Sequence, residues 1–63
     1  MNILILIHGV LGWSVRFVGP HAEEVQDLFG TDTIPTPFTH LARPEIVKAE
    51  IERLNPGCVV RFA

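Results

Sequence analysis

Sixty-three residues with five basic and seven acidic side chains, net charge −2 and 48% hydrophobic content describe one small domain, residues 1–63, too apolar for disorder. A chain of this size buries only about 60% of the surface its extended form exposes, and burial at roughly 25 cal/mol per Å² barely offsets ordering at about 1.5 kcal/mol per residue. The lone Cys58 excludes an internal disulfide and points to a reducing, cytoplasmic setting, and the scattered Arg16, Arg43, Lys48, Arg53 and Arg61 exclude a concentrated nucleic-acid footprint.

Residues 2–8, Asn-Ile-Leu-Ile-Leu-Ile-His, hold an unbroken apolar run with β-branched Ile3, Ile5 and Ile7 and no alternation, as in a strand covered on both faces. No Lys or Arg precedes this run, no small-x-small cleavage site follows it, and it is far shorter than the roughly 20 residues a bilayer requires. A strand is therefore expected, with no targeting or membrane role. Gly9 and Gly12 permit a tight reversal across residues 9–12. Beyond it Trp13, Val15 and Phe17 alternate with Ser14 and Arg16, which predicts a β-hairpin.

The segment Ile5-Leu6-Ile7-His8-Gly9-Val10-Leu11-Gly12 resembles the strand-end His-Gly-x-x-Gly segment of α/β-hydrolases, whose backbone amides help to form an oxyanion hole. That resemblance implies ester chemistry. The chain lacks a Gly-x-Ser-x-Gly nucleophile elbow, its only serine is Ser14 inside a strand, and the hydrolase fold requires several times this length. A hairpin turn accounts for the segment better.

Gly19-Pro20 opens a helix, since proline at the first helical position sacrifices no hydrogen bond. Ala22, Val25, Leu28 and Phe29 form its apolar stripe, Glu23, Glu24 and Asp27 face water, and Gly30 is the left-handed stop. A second helix opens at Pro44, directs Ile46, Val47, Ile51 and Leu54 inward, and ends at Asn55-Pro56-Gly57. Between the helices lies a proline-stiffened loop, residues 31–42. Cys58, Val60 and Phe62 alternate with Val59 and Arg61 in a final strand.

These elements predict a two-layer β-β-α-α-β sandwich: a three-stranded mixed sheet in the order 2-1-3, with two helices on one face. The other face is then left bare. The first strand turns Ile3, Ile5 and Ile7 to one side and Leu4 and Leu6 to the other, and Trp13, Val15 and Phe17 are expected on the bare face. Monomers seldom expose an apolar stripe rimmed by polar groups unless it binds something. Ile3, Ile5, Ile7 and Val59, edged by Arg16 and Arg61, are the expected contact residues of a homodimer.

The loop residues Ile34, Pro35, Pro37, Phe38 and His40 form a second candidate surface, for a further protein partner, or else plug the open end of the core. His8, His21, His40 and Cys58 show no close metal-ligand spacing, and topology sends the first and third to one end of the sheet and the others to the opposite end. Glu23 and Asp27 read as a solvated helix face. No nucleophile, base or metal set converges, so the expectation is a non-enzymatic interaction module without a cofactor. The alternative is a small-ligand or enzymatic site built from His8, the turn at residues 9–12 and His40, which requires those histidines to meet beside a concavity.

Overall fold

The computed structural model describes residues 1–63. Strands β1 (Ile3–Gly9) and β2 (Gly12–Val18) form an antiparallel hairpin whose apex is Val10 and Leu11. Helix α1 (Pro20–Phe29), strand β3 (Thr33–Pro35), helix α2 (Pro44–Leu54) and strand β4 (Val59–Phe62) follow. β4 runs parallel to β1 and β3 antiparallel to β2, giving one sheet in the order β3-β2-β1-β4.

The fold is thus a small α+β domain with two helices and a mixed sheet of four strands, where three were expected. The three anticipated strands keep their predicted adjacency, with the most apolar, β1, between β2 and β4. The extra strand, β3, is cut from the inter-helix loop. Its Ile34 falls opposite Val15, and its Pro35 is tolerable because β3 lies at the sheet edge.

Register decides which side chains share a face. Leu4 lies opposite Phe17 and Val60, Leu6 opposite Val15 and Phe62, and His8 opposite Trp13. This is the side that α2 covers: Leu4, Leu6, Trp13, Val15 and Val60 form one cluster with Val47 and Ile51 of the helix. Leu4 and Leu6 are each 1% exposed and Val47 is fully enclosed. Trp13, Val15 and Phe17 therefore face α2, contrary to the expectation that they line the bare side. Alternation groups the three together, but only cross-strand register with Leu4 and Leu6 says which way they point.

The two helices are not equivalent. α2 supplies both of the buried helical residues, whereas α1 has none and no α1 side chain joins the core cluster. The chain path explains this. Only Gly19 separates β2 from α1, and the amide of Phe17 donates to the Asp32 carbonyl at 2.9 Å, so both ends of α1 are tied to β2 near the sheet edge. Leu28 and Phe29, expected to pack inward, are exposed.

The loop that leads into α2 is held chiefly by Trp13. Its amide donates to the Phe38 carbonyl at 3.1 Å, its carbonyl accepts from the Thr36 amide at 2.9 Å and the Thr36 hydroxyl at 2.7 Å, and its indole N–H donates to the Ala42 carbonyl at 3.1 Å. Phe38 and Ala42 thereby pack against the core from outside the regular elements.

Burial is sparse. Only seven residues are buried, and the accessible surface of 4429 Å² exceeds the ~4,000 Å² that scaling gives for a 7.0 kDa chain. Val10, Leu11, Leu28, Phe29, Leu41 and Leu54 are among the large hydrophobic side chains left exposed.

Candidate functional site

The face of the sheet opposite α2 is assembled by register alone. Ile3 stands between Val18 and Val59, Ile5 between Arg16 and Arg61, and Ile7 beside Ser14. No residue of this face is buried. Ile3, Ile5, Ile7, Val18 and Val59 are half-buried among their neighbours, while Arg16 and Arg61 are exposed. The Arg16 guanidinium lies 3.7 Å from the Asp32 carboxylate, so the charge at that margin is partly matched. The result is an apolar strip along β1, flanked at its middle by two cations.

A second surface lies on the helix side. Pro35, Thr36, Pro37 and Phe38 oppose Ile46, Glu50, Ile51 and Leu54 across a groove of about 450 Å³. Four of the loop residues singled out in the sequence are thus placed around β3 and this groove: Pro35, Pro37 and Phe38 line it, and Ile34 packs opposite Val15. His40 lies elsewhere, at the hairpin end. Ile46 and Leu54 were expected inside the core and instead form the outer wall of the groove.

At the hairpin end His8 and His40 do meet. The His8 Nε2 lies 2.7 Å from the His40 carbonyl, and the two residues flank a concavity of about 270 Å³ with Gly9 and Val10. A carbonyl only accepts, so Nε2 carries the proton and the neutral ring keeps its lone pair on Nδ1. The imidazole is stacked on Trp13, with centroids 4.5 Å apart. Register turns the only serine away from it: Ser14 is paired with Ile7 and points to the opposite face. Cys58 lies past the far end of the sheet, where Val59 meets Ile3.

Titratable groups elsewhere serve the surface. Glu50 is bonded to Arg53, and that hydrogen bond, with the guanidinium charge adding to it, lowers the Glu50 carboxyl below its ordinary value and raises Arg53. Lys48 and Glu52 lie 3.8 Å apart one turn away. Glu23, Asp27 and Asp32 border a shallow hollow with Ala22 and Gln26. Nowhere do three His, Cys, Asp or Glu side chains gather as metal ligands. No helix is long and apolar enough to cross a membrane. The chain matches no family model, and no curated protein or solved structure is significantly similar to it.

Proposed function

We propose that this protein is a non-enzymatic interaction module of the cytoplasm that associates with itself through the uncovered face of its sheet. The observation that carries the reading is the gathering of Ile3, Ile5, Ile7, Val18 and Val59 on a face with no buried residue. Strands of seven, seven, three and four residues, at about 3.3 Å per residue and about 4.8 Å apart, give a footprint of roughly 330 Å² per copy. Two such sheets packed back to back, about 10 Å apart, enclose the isoleucine strip, while the Arg16 and Arg61 side chains beside Ile5 extend outward past it to keep their guanidinium groups in water. The arrangement is isologous, so a two-fold axis closes it. It also supplies the apolar burial that a chain of this size lacks alone.

A dilution series by analytical ultracentrifugation tests the reading. Association at micromolar concentration is expected, Ile5→Glu abolishes it across this face, and Leu54→Ser on the outside of α2 leaves it unchanged. A wild-type monomer at those concentrations, or an Ile5→Glu variant that associates through this face as before, overturns it.

A small-ligand site at His8, Gly9, Gly12 and His40 is the second reading, favoured by the 2.7 Å contact that joins the two histidines beside a concavity. The concavity is slightly smaller than the roughly 300–1,000 Å³ of ordinary ligand pockets, and the His8 Nε2 is already engaged. The interaction reading therefore stands first. Within it, the groove walled by Pro35, Pro37 and Phe38 is the place for a further protein partner.

A further inference from the structure

The two edges of the sheet differ in how they receive another strand. β3 is three residues long and carries Pro35, with Pro37 just beyond, which blunts that edge. β4 has no proline, and none of residues 58–63 is a lysine. Its inner side is spent on β1: the Val59 amide donates to the Asn2 carbonyl at 3.0 Å and the Ala63 amide to the Leu6 carbonyl at 2.9 Å. By the two-residue period of a strand, the amides and carbonyls of Val60 and Phe62 point outward, where no strand lies.

We infer that β4 pairs antiparallel with β4 of a second copy, joining two four-stranded sheets edge to edge. This goes beyond the back-to-back association and involves a different surface. Charge selects the register. A two-fold axis at Arg61 would set two guanidinium groups directly opposite each other on one face, which like charges disfavour. An axis at Val60 sets Val60 against Val60, Arg61 against Val59 and Phe62 against Cys58 of the other copy. Both registers form four main-chain hydrogen bonds. In the second, the two Val60 residues exchange a pair, and each Phe62 amide donates to the other copy's Cys58 carbonyl. The Cys58 amide is not required, and it already donates to Asn55 at 3.2 Å. Phe62, 47% exposed in the single chain, gains a cover from Cys58. A second copy of β4 thus pairs the outward groups of Val60 and Phe62 without setting the two arginines directly opposite each other, and it is the occupant inferred.

Phe62→Pro removes one outward donor without touching the bonds from β4 to β1, and Phe62→Ala controls for the ring. With both interfaces active and their two-fold axes crossing at right angles, association closes as a four-chain particle. In sedimentation Phe62→Pro is expected to reduce it to two chains, Ile5→Glu likewise, and the combined variant to one, while Phe62→Ala retains edge pairing. Disulfide trapping in a Cys58→Ser background reads the register without proline. A mixture of Val59→Cys and Arg61→Cys chains forms the mixed cross-link, because directly opposed residues of a non-hydrogen-bonded pair lie about 4.5 Å apart at Cα. Failure of that cross-link, an Arg61→Cys homodimer forming in its place, or a Phe62→Pro particle unchanged from wild type overturns the inference. A two-chain wild type that Ile5→Glu leaves unchanged, with normal cross-linking, leaves the edge standing alone, so the two interfaces fail independently.

Discussion

The His8 imidazole lies flat against the Trp13 indole, their planes 16° apart, and its Nε2–H reaches the His40 carbonyl at 2.7 Å. One side chain thereby joins the end of β1, the start of β2 and the loop entering α2. The contact is exposed, so its hydrogen bond contributes about 1 kcal/mol and the stack about the same. His8→Phe keeps the ring and loses only the bond, whereas His8→Ala loses both. Denaturant titration followed by fluorescence of the single Trp13 is expected to rank them wild type, His8→Phe, His8→Ala. Equal stability of the two variants would remove the stack from this account.

Leu6 and Ile5 are neighbours in β1 with opposite fates. Leu6 is 1% exposed beneath α2, so Leu6→Ala costs about 2–5 kcal/mol by lost burial and cavity formation. A domain of this length commands only about 3–9 kcal/mol in total, so the variant sits at the edge of unfolding. Ile5→Ala has a different signature. Half-buried in one chain, Ile5 gains its remaining burial from a partner, so the cost of its truncation grows with protein concentration while that of Leu6→Ala does not. Thermal melts of both variants at two concentrations a hundredfold apart check the contrast.

Much of this arrangement was legible in the chain. The hairpin was marked by Gly9 and Gly12 between β-rich runs, and both helices by Pro20 and Gly30, then Pro44 and Asn55. That His8 and His40 share one end of the sheet followed from placing one at the end of β1 and the other in the loop above it, while their meeting was only what the alternative site required. What escaped was set by distant partners. A Thr-Ile-Pro triplet has no strand signature of its own, and β3 exists because Val15 offers Ile34 a partner. The direction of Trp13 depends on its register with His8 and on a carbonyl at Ala42, 29 residues away. The apolar stripe of α1 read as buried because periodicity reports amphipathicity, while the tethers at Gly19 and Asp32 decide where the helix lies. The isoleucines of the candidate face were legible as a set, since a strand's period of two is local.

Gly12 and Gly30 separate two reasons for glycine. Gly30 caps α1 at φ 75° with nothing within 4 Å of where a side chain would begin, so Gly30→Ala carries only the left-handed backbone cost, about 1 kcal/mol. Gly12 has φ 135°, and a methyl group there would lie 2.7 Å from the Phe38 carbonyl oxygen. That carbonyl is the acceptor for the Trp13 amide, so it cannot withdraw without losing the bond that holds the loop. Gly12→Ala is expected to destabilise clearly more than Gly30→Ala in urea titrations, and to increase amide exchange at Trp13 and Thr36. Comparable midpoints for the two variants would mean that the loop yields freely.

The Glu50–Arg53 pair predicts a small acid-side effect of defined sign. The hydrogen bond from Arg53, with a smaller contribution from the guanidinium charge, outweighs an opposing desolvation and holds the folded-state Glu50 carboxyl below its unfolded value. Folding therefore disfavours proton uptake at this site. Its stabilisation is present above the ordinary carboxylate range and is lost as pH falls through the depressed folded value. Both side chains are solvated, so added salt weakens the effect. Glu50→Gln is expected to flatten the stability profile on the acid side while leaving its shape near neutrality, and Arg53→Gln to produce the same flattening by removing the partner. Because one interaction underlies both, the double variant should match either single variant. A double variant with a profile flattened further would place the acid sensitivity in carboxylates other than Glu50.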